Sequence, residues 1–476
     1  MKRNLTLLMD FYEITMANGY LDNGIGDTIV YFDMFFRKIP DDGGFAIMAG
    51  LDQLIEYIEN LKFDEYDIEY LREKRIFSES FLEYLKNFKF ECDVWAIPEG
   101  TPVFPNEPIV TVRGPIIQAQ LMETMILITI NHQTLIATKA NRIVRAAKGR
   151  PVMEFGSRRA QGYDGAIYGA RAAYIGGCVA TACTVTDREF GIPAAGTMAH
   201  SWVQVFESEI EAFRAYAKTY PDDCTLLVDT YNVLKSGIPN AIRVFKEEIV
   251  PRGYRPKGVR IDSGDIVYLS NKARQMLDEA GFSDCKIVVS NALDEYIIQE
   301  ILDNDAKIDS FGVGERLITS RSEPVFGGVY KLVAIEKDGE IIPRIKISEN
   351  EGKITNPGVK EIWRIYDKDK AIADVITLKD EIIDESKPYT LFDPEYTWKK
   401  KTVTGFRARK IREEIYKDGV CVYTRPNLGD IKEYCSNQIK TLWSEVLRFN
   451  SPHKYYVDLS YNLWIQKKKL LNEYTK

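Results

Sequence analysis

From residue 151 to about 320 the chain alternates short apolar runs with helical segments, and this alternation limits its fold more than any other feature. The runs are PVMEF (151–155), PAAGTMAHSW (193–202), CTLLVDTY (224–231), GVRIDSGD (258–265), KIVVSNAL (286–293) and IDSFGVGERL (308–317). Segments rich in helix formers, such as AFRAYAKTY (212–220) and NKARQMLDEAGF (271–282), lie between several of them. Strand–helix alternation at this spacing is the pattern of a parallel α/β arrangement. Fewer than eight units are clear, so an irregular or incomplete (β/α) barrel is expected rather than a regular one.

The ends of these runs carry the polar residues. They are Asp229-Thr230-Tyr231, Arg260 with Asp262-Ser263-Gly264-Asp265, Ser290-Asn291, and Gly312-Val313-Gly314-Glu315-Arg316. An α/β barrel presents its chemistry at the C-terminal ends of its strands. Glycines beside a helix start let backbone N–H groups approach a phosphate, and an adjacent acidic residue suits ribose hydroxyls or Mg²⁺. One glycine turn alone equally serves conformation; several such ends in one barrel imply a sugar phosphate. The absence of G-x-x-x-x-G-K-[ST] leaves a P-loop NTPase unsupported. The stretch 152–202 is the densest. It opens on Glu154-Phe155-Gly156, follows with Arg158 and Arg159, and closes on His200, one of only three histidines. Singly, these residues read as a strand cap or a solvated helix start; together they mark a site.

Outside this region the pattern differs. A helix is expected over roughly 8–20, a strand over TIVYFDMFFRKIP, and a glycine turn with an amphipathic helix in GGFAIMAGLDQLIEYIENL. Residues 61–90 look helical, 91–114 β-rich, and 115–148 helical again. The DG turn of KLVAIEKDGEIIPRIKIS predicts a hairpin, and the remaining C-terminal part is charged and mixed. A net charge of −7 over 476 residues argues against nucleic-acid or membrane-surface binding. The N-terminal apolar run is broken by Asp10 and Glu13, too short for a signal peptide. Seven scattered cysteines without a C-x-x-C predict buried thiols in a reducing cytoplasm. Cys421 and Cys435 lack nearby histidines, so no metal site is assigned to them.

Several motifs together resemble the nicotinate phosphoribosyltransferases. They are DFYEITMANGY around Tyr12, EFGSRRAQGYDG, GIPAAGTMAHSW, VRIDSGD, FGVGERL, GGVYKL and KITNPGVKEIWRIYD, in the family's order from about residue 5 to 370. The resemblance implies a type II phosphoribosyltransferase: an irregular α/β barrel with a second α+β domain built from both ends of the chain. The expected divisions are 1–135, the barrel over 136–330, and a segment 331–476 that returns to the first domain and ends in a mixed tail. It implies that nicotinate and phosphoribosyl pyrophosphate are joined to nicotinate mononucleotide in NAD salvage, with Mg²⁺. It also implies ATP-dependent, ligase-type coupling through a phosphohistidine, here His200, with Asp229 orienting the ring. Arg260 would hold the phosphates, Asp262 the ribose, and Gly314 and Glu315 the 5′-phosphate, the Glu315 carboxylate pointing away. Phe155 would stack on nicotinate and Arg158 would meet its carboxylate. Tyr12 would stack from the other subunit of a homodimer with shared active sites. Arg37, Lys331 and Lys346 match positions that related enzymes use across that interface, and each also reads as an ordinary surface cation.

Three rival readings differ at named positions. A nicotinamide enzyme would want a pocket aspartate where this chain has neutral Thr184, whereas a free Arg158 favours a carboxylate. A non-catalytic metabolite sensor would be expected to lose His200 or the Arg260/Asp262 pair. A barrel aldolase or isomerase would want a lysine at a strand end, and none of the strand ends named above has one.

Overall fold

The computed structural model describes residues 3–349 and 351–474. The chain divides into two compact units, Ile136–Pro324 and Met1–Leu135 with Val325–Lys476.

The middle unit is built on six parallel strands: β1 Val152–Glu154, β2 Ala180–Thr181, β3 Thr225–Leu227, β4 Gly258–Ile261, β5 Lys286–Ser290 and β6 Ser310–Val313. Their order is β2-β1-β6-β5-β4-β3, and every pairing is parallel. Leu226, Val259, Ile261, Ile287, Val289, Phe311 and Val313 are all fully buried. Strands covered on both faces need such unbroken apolar runs. Parallel neighbours need long crossovers, and helices such as Gly162–Ile175, Ile266–Glu279 and Glu295–Asp303 supply them. Local chemistry starts these helices where the strands end. Asp265 caps Ile266–Glu279 by accepting from Tyr268 N at 3.0 Å, and Asp294 caps Glu295–Asp303 by accepting from Tyr296 N and Ile297 N. Ser270, Ala273 and Leu277 then form the buried stripe of the first helix.

One expected strand is absent. Residues 193–199 form a single bridge, Ala194 to Thr181, and His200 opens the short helix His200–Val205. Pro193 has no N–H to donate and Gly196 has no side chain to pack, so the segment cannot sustain a ladder. His200 therefore stands at a helix start and not at a strand end.

The other unit interleaves the two ends of the chain. Its largest sheet runs Glu340–Pro343, Gly328–Lys337, Ile29–Phe36, Val110–Pro115, Asp93–Ala96, Glu413–Lys417 and Val420–Cys421, antiparallel throughout. The hairpin over 328–343 turns at Asp338 (φ 53°) and Gly339 (φ 78°), the left-handed pair that a two-residue turn requires. A second sheet holds Arg407–Lys410, Lys360–Asp367, Lys370–Leu378 and Val457–Leu459. A buried ion pair fastens an early strand to a late one, Lys360 to Asp33 at 2.9 Å, and beside it Arg412 donates to Thr111 Oγ1. The fold is thus α/β, a parallel barrel-like sheet plus an α+β unit made from N- and C-terminal segments. Among the described residues no helix is long and apolar enough to cross a membrane.

Candidate active site

The C-terminal ends of β1 to β6 carry the polar residues singled out in the sequence. At the end of β4, Arg260 acts as a hub. Its Nε donates to Ser290 Oγ (2.8 Å), Nη1 to Thr197 Oγ1 (3.1 Å) and Nη2 to Asp262 Oδ1 (2.9 Å). Ser290, on β5, also donates to Asp262 Oδ1. The guanidinium carbon lies 5.6 Å from the Phe155 ring centroid, within cation–π range. One planar group thus joins β4, β5, the loop before His200 and the ring after β1.

Phe155 sits half-buried against β6, where a Cβ on Gly312 would come within 2.4 Å of its ring. Gly312 is therefore required by the close approach and not by its backbone angle. Glu154 anchors the same turn: its carboxylate accepts from Thr181 Oγ1 (2.7 Å) and from Gly156 N. Burial pushes the Glu154 carboxyl above the usual range although both donors pull it down. Arg158 follows in the short turn Ser157–Arg159, exposed and, among the described residues, without an ion pair. Thr184 opens the helix Thr184–Phe190 and is exposed.

The side chain of Asp229, just past β3, is 1% exposed. Its Oδ2 accepts from Asp262 N (3.1 Å) and Ser263 Oγ (2.6 Å), while Oδ1 is buried without a hydrogen bond. That free oxygen faces His200 Nε2 at 3.9 Å, and His200 Nδ1 lies 3.1 Å from Thr230 Oγ1. The imidazole is 41% exposed, so one edge is gripped and a face is open. Two packing features set the position. Trp202 Nε1 donates to Ala212 O (3.0 Å) and fixes the His200 helix. Gly237 lets the turn Val233–Gly237 lie directly on Val228 O, where a Cβ would come within 1.9 Å.

At β6, Gly314 precedes the one-turn helix Glu315–Ile318. The Glu315 carboxylate turns to Arg321 (3.3 Å), leaving its backbone N–H to the turn. Arg316 pairs with Asp294. Asn291 and Ala292, past β5, are both left-handed (φ 91° and 40°), an unfavourable conformation for residues with a Cβ.

The second unit carries its own cluster. Tyr12 lies on the helix Phe11–Asp22, 44% exposed, with its hydroxyl held against Glu123. Burial and that carboxylate hold the phenol well above its usual range. Lys331 Nζ lies 3.8 Å from Glu123 Oε1, and Lys346 and Arg37 stand near enough for their charges, with burial, to press the Lys331 pKa downward. Arg37 Nε is buried without a hydrogen bond. The tyrosine and three cations noted in the sequence thus converge on one patch.

None of the seven cysteines is in a disulfide; six are buried and Cys421 is half-buried, and burial pushes the Cys435 thiol up to about 12. Among the described residues no group of three or more His, Cys, Asp or Glu side chains could hold a metal ion. The sequence reading gave no role to Thr230, Ser290, Thr197, Glu154 or Glu123. Thr230 and Ser290 stand in strand-end motifs that were visible, and Glu154 and Thr197 lie inside the motifs around Phe155 and His200; Glu123 shows no signal of its own.

Three family profiles cover most of the chain: the nicotinate phosphoribosyltransferase N-terminal domain (residues 7–131), the nicotinate phosphoribosyltransferase family (151–355) and its C-terminal domain (359–467). The nicotinate phosphoribosyltransferase of Bacillus subtilis is 44% identical over 474 residues, spanning 99% of this chain and 96% of that one. The Caenorhabditis elegans enzyme is 34% identical over 97% of this chain and 93% of its own. The crystal structure of human nicotinic acid phosphoribosyltransferase superposes with a TM-score of 0.87 at 28% identity, covering 97% of this chain and 99% of that one. From these matches and the residues at the strand ends, the chain belongs to the nicotinate phosphoribosyltransferase family.

Proposed function

We propose that the chain joins nicotinate to phosphoribosyl pyrophosphate, giving nicotinate mononucleotide and pyrophosphate for NAD biosynthesis by salvage, and drives the step with ATP through a phosphohistidine at His200. The observation that carries the coupling is the gripped imidazole, with Asp229 Oδ1 facing Nε2 and Thr230 Oγ1 at Nδ1. A neutral ring so held can attack the γ-phosphate: an N–P bond forms, the bond to the β-phosphate oxygen breaks, and ADP leaves with the electron pair. Water later cleaves the N–P bond and restores the ring.

At the ribose C1 the bond to pyrophosphate breaks and the bond to the pyridine nitrogen forms, through a cationic, oxocarbenium-like state. Arg260 bears on the phosphates, Asp262 on the ribose, and the backbone at Gly314 and Glu315 on the 5′-phosphate. Phe155 stacks on the ring and Arg158 pairs with the nicotinate carboxylate; its lack of an ion pair among the described residues supports that role. Neutral Thr184 leaves this pairing unopposed.

Mg²⁺ carried on substrate phosphates needs only one or two protein carboxylates, a demand that Asp262, 30% exposed at the end of β4, fits. Asp262 would hold it, and it would supply charge neutralisation to the pyrophosphate. In a homodimer, Tyr12, Arg37, Lys331 and Lys346 would complete the partner's site; their convergence on one patch supports this arrangement. Seven cysteines without a disulfide fit work in the reducing cytoplasm.

The test is ATP labelled at the γ-phosphate. The wild type should acquire an acid-labile, base-stable phosphate, and His200→Ala should acquire none and lose the ATP-driven gain in product. Equal labelling of both proteins would remove His200 from the coupling.

A further inference from the structure

From the contacts around the imidazole we infer that Thr230 is a positioning residue for His200: its hydroxyl donates to Nδ1 and, together with the unpartnered oxygen of Asp229, holds the ring as the Nε2–H tautomer with that N–H facing Asp229. The inference rests on the reading of His200 given above and names a group that helps set its tautomer.

Among the described residues two polar atoms lie close to the ring, and they differ in whether they can donate. Asp229 Oδ1, on a side chain 1% exposed, has no hydrogen bond, and Nε2 is 3.9 Å away. Its sister Oδ2 already accepts from Asp262 N and Ser263 Oγ, which fix the carboxylate in place. A proton on Nε2 gives the stranded oxygen a donor to face; a bare lone pair there would set two acceptors against each other. Thr230 Oγ1 is 3.1 Å from Nδ1. A hydroxyl can donate or accept, so it does not choose by itself, but Asp229 can only accept while ionised. The two together select one tautomer. Thr230 follows Asp229 directly beyond β3, so one strand end supplies both constraints. Nδ1 keeps the lone pair needed for attack on phosphorus. As the N–P bond forms, the hydroxyl gives up Nδ1 and is left free to donate to an oxygen of the transferred group.

The experiment uses the full chain with Thr230→Val, which keeps the shape and loses the donor, and Thr230→Ser, which keeps the donor. The chain has three histidines, so ¹⁵N imidazole spectra are simple, and His200→Ala assigns the signal. The wild type and Thr230→Ser should show His200 mainly as the Nε2–H form, and Thr230→Val a mixture of both. Labelling from γ-phosphate-labelled ATP should slow about 3- to 10-fold in Thr230→Val, the worth of one neutral hydrogen bond. It should recover in Thr230→Ser, and the ATP-supported rate should fall more than the ATP-independent one. A wild-type ring in the Nδ1–H form, or a Thr230→Val ring with the wild-type tautomer and labelling rate, overturns the inference. If the wild type takes no label, the phosphohistidine reading fails instead, and the tautomer spectra still decide what Thr230 does to the ring. Should Thr230→Val fail to fold, the wild-type and Thr230→Ser spectra alone decide it: an Nδ1–H ring in either refutes the assignment.

Discussion

Replacing Arg260 with lysine tests whether the hub organises the barrel mouth through its fork geometry or only through its charge. The lysine keeps a cation beside Asp262 but offers one compact donor group where the guanidinium serves three partners in a plane. The bonds most exposed to loss are those to Ser290 (2.8 Å) and Thr197 (3.1 Å). Neither hydroxyl is orphaned by the change, because Ser290 still donates to Asp262 and Thr197 to Met198 O. The cost is therefore two net neutral bonds, about 1–3 kcal/mol in all, without a desolvation penalty. If that loss falls on the transition state, kcat/KM for phosphoribosyl pyrophosphate drops about 5- to 150-fold. The Thr197 bond is the one that reaches the loop leading into His200. Product formation and ATP hydrolysis should therefore be followed in the same reaction, and more ATP should be consumed per product in Arg260→Lys. A variant with wild-type kcat/KM and wild-type ATP consumption would show that the fork does nothing a point charge cannot do.

Arg158→Ala removes an exposed cation with no ion pair among the described residues. Melting temperature should stay unchanged while KM for nicotinate rises about 10- to 150-fold, the worth of a charge-assisted bond, and KM for phosphoribosyl pyrophosphate hardly moves; an unchanged nicotinate KM refutes the pairing. Glu13 is fully buried, and burial raises its carboxyl from 4.5 to about 7. The folded chain then holds more protons than the unfolded one between those values, so stability should fall as pH rises through that window. Thermal melts from pH 5 to 8 should show this slope in the wild type and a shallower one in Glu13→Gln; parallel slopes would remove Glu13 as the cause. Tyr12→Ala and His200→Ala should each be inactive in the coupled assay, whereas their heterodimer should recover about half the wild-type activity if sites are shared across a two-fold axis. Heterodimers that form without recovery would mean that each chain builds its pocket alone.

The two units differ in how much of them the sequence revealed, and the reason is the range of the interactions that set each one. In the barrel, burial on both faces forces unbroken apolar runs, so β1, β3, β4, β5 and β6 could be read directly, as could the polar residues that end them. Two barrel features escaped. Ala180–Thr181 is only two residues long and carries no period, and residues 193–199 look apolar yet cannot pair beyond Ala194. The interleaved unit was harder, because its pairings join residues about three hundred apart. Val30 faces Ile335 and Asp93 faces Arg113 in the same sheet, and no local pattern encodes the first of these registers. Arg364 shows the limit most clearly. In the run EIWRIYD nothing local marks this cation for burial, yet it is fully buried. It forks onto Asp374 (2.8 Å at Nε) and donates to Pro102 O at 2.8 Å. Asp374 lies on the neighbouring strand and Pro102 comes from 262 residues earlier, so its partners exist only once both ends of the chain have met. The same logic governs the candidate site. Residues that would touch substrate stood in recognisable motifs, because chemistry demands their type. Thr230, Ser290, Thr197 and Glu123 act on other side chains, and a hydroxyl or carboxylate in that role can be recognised only from the atoms it meets.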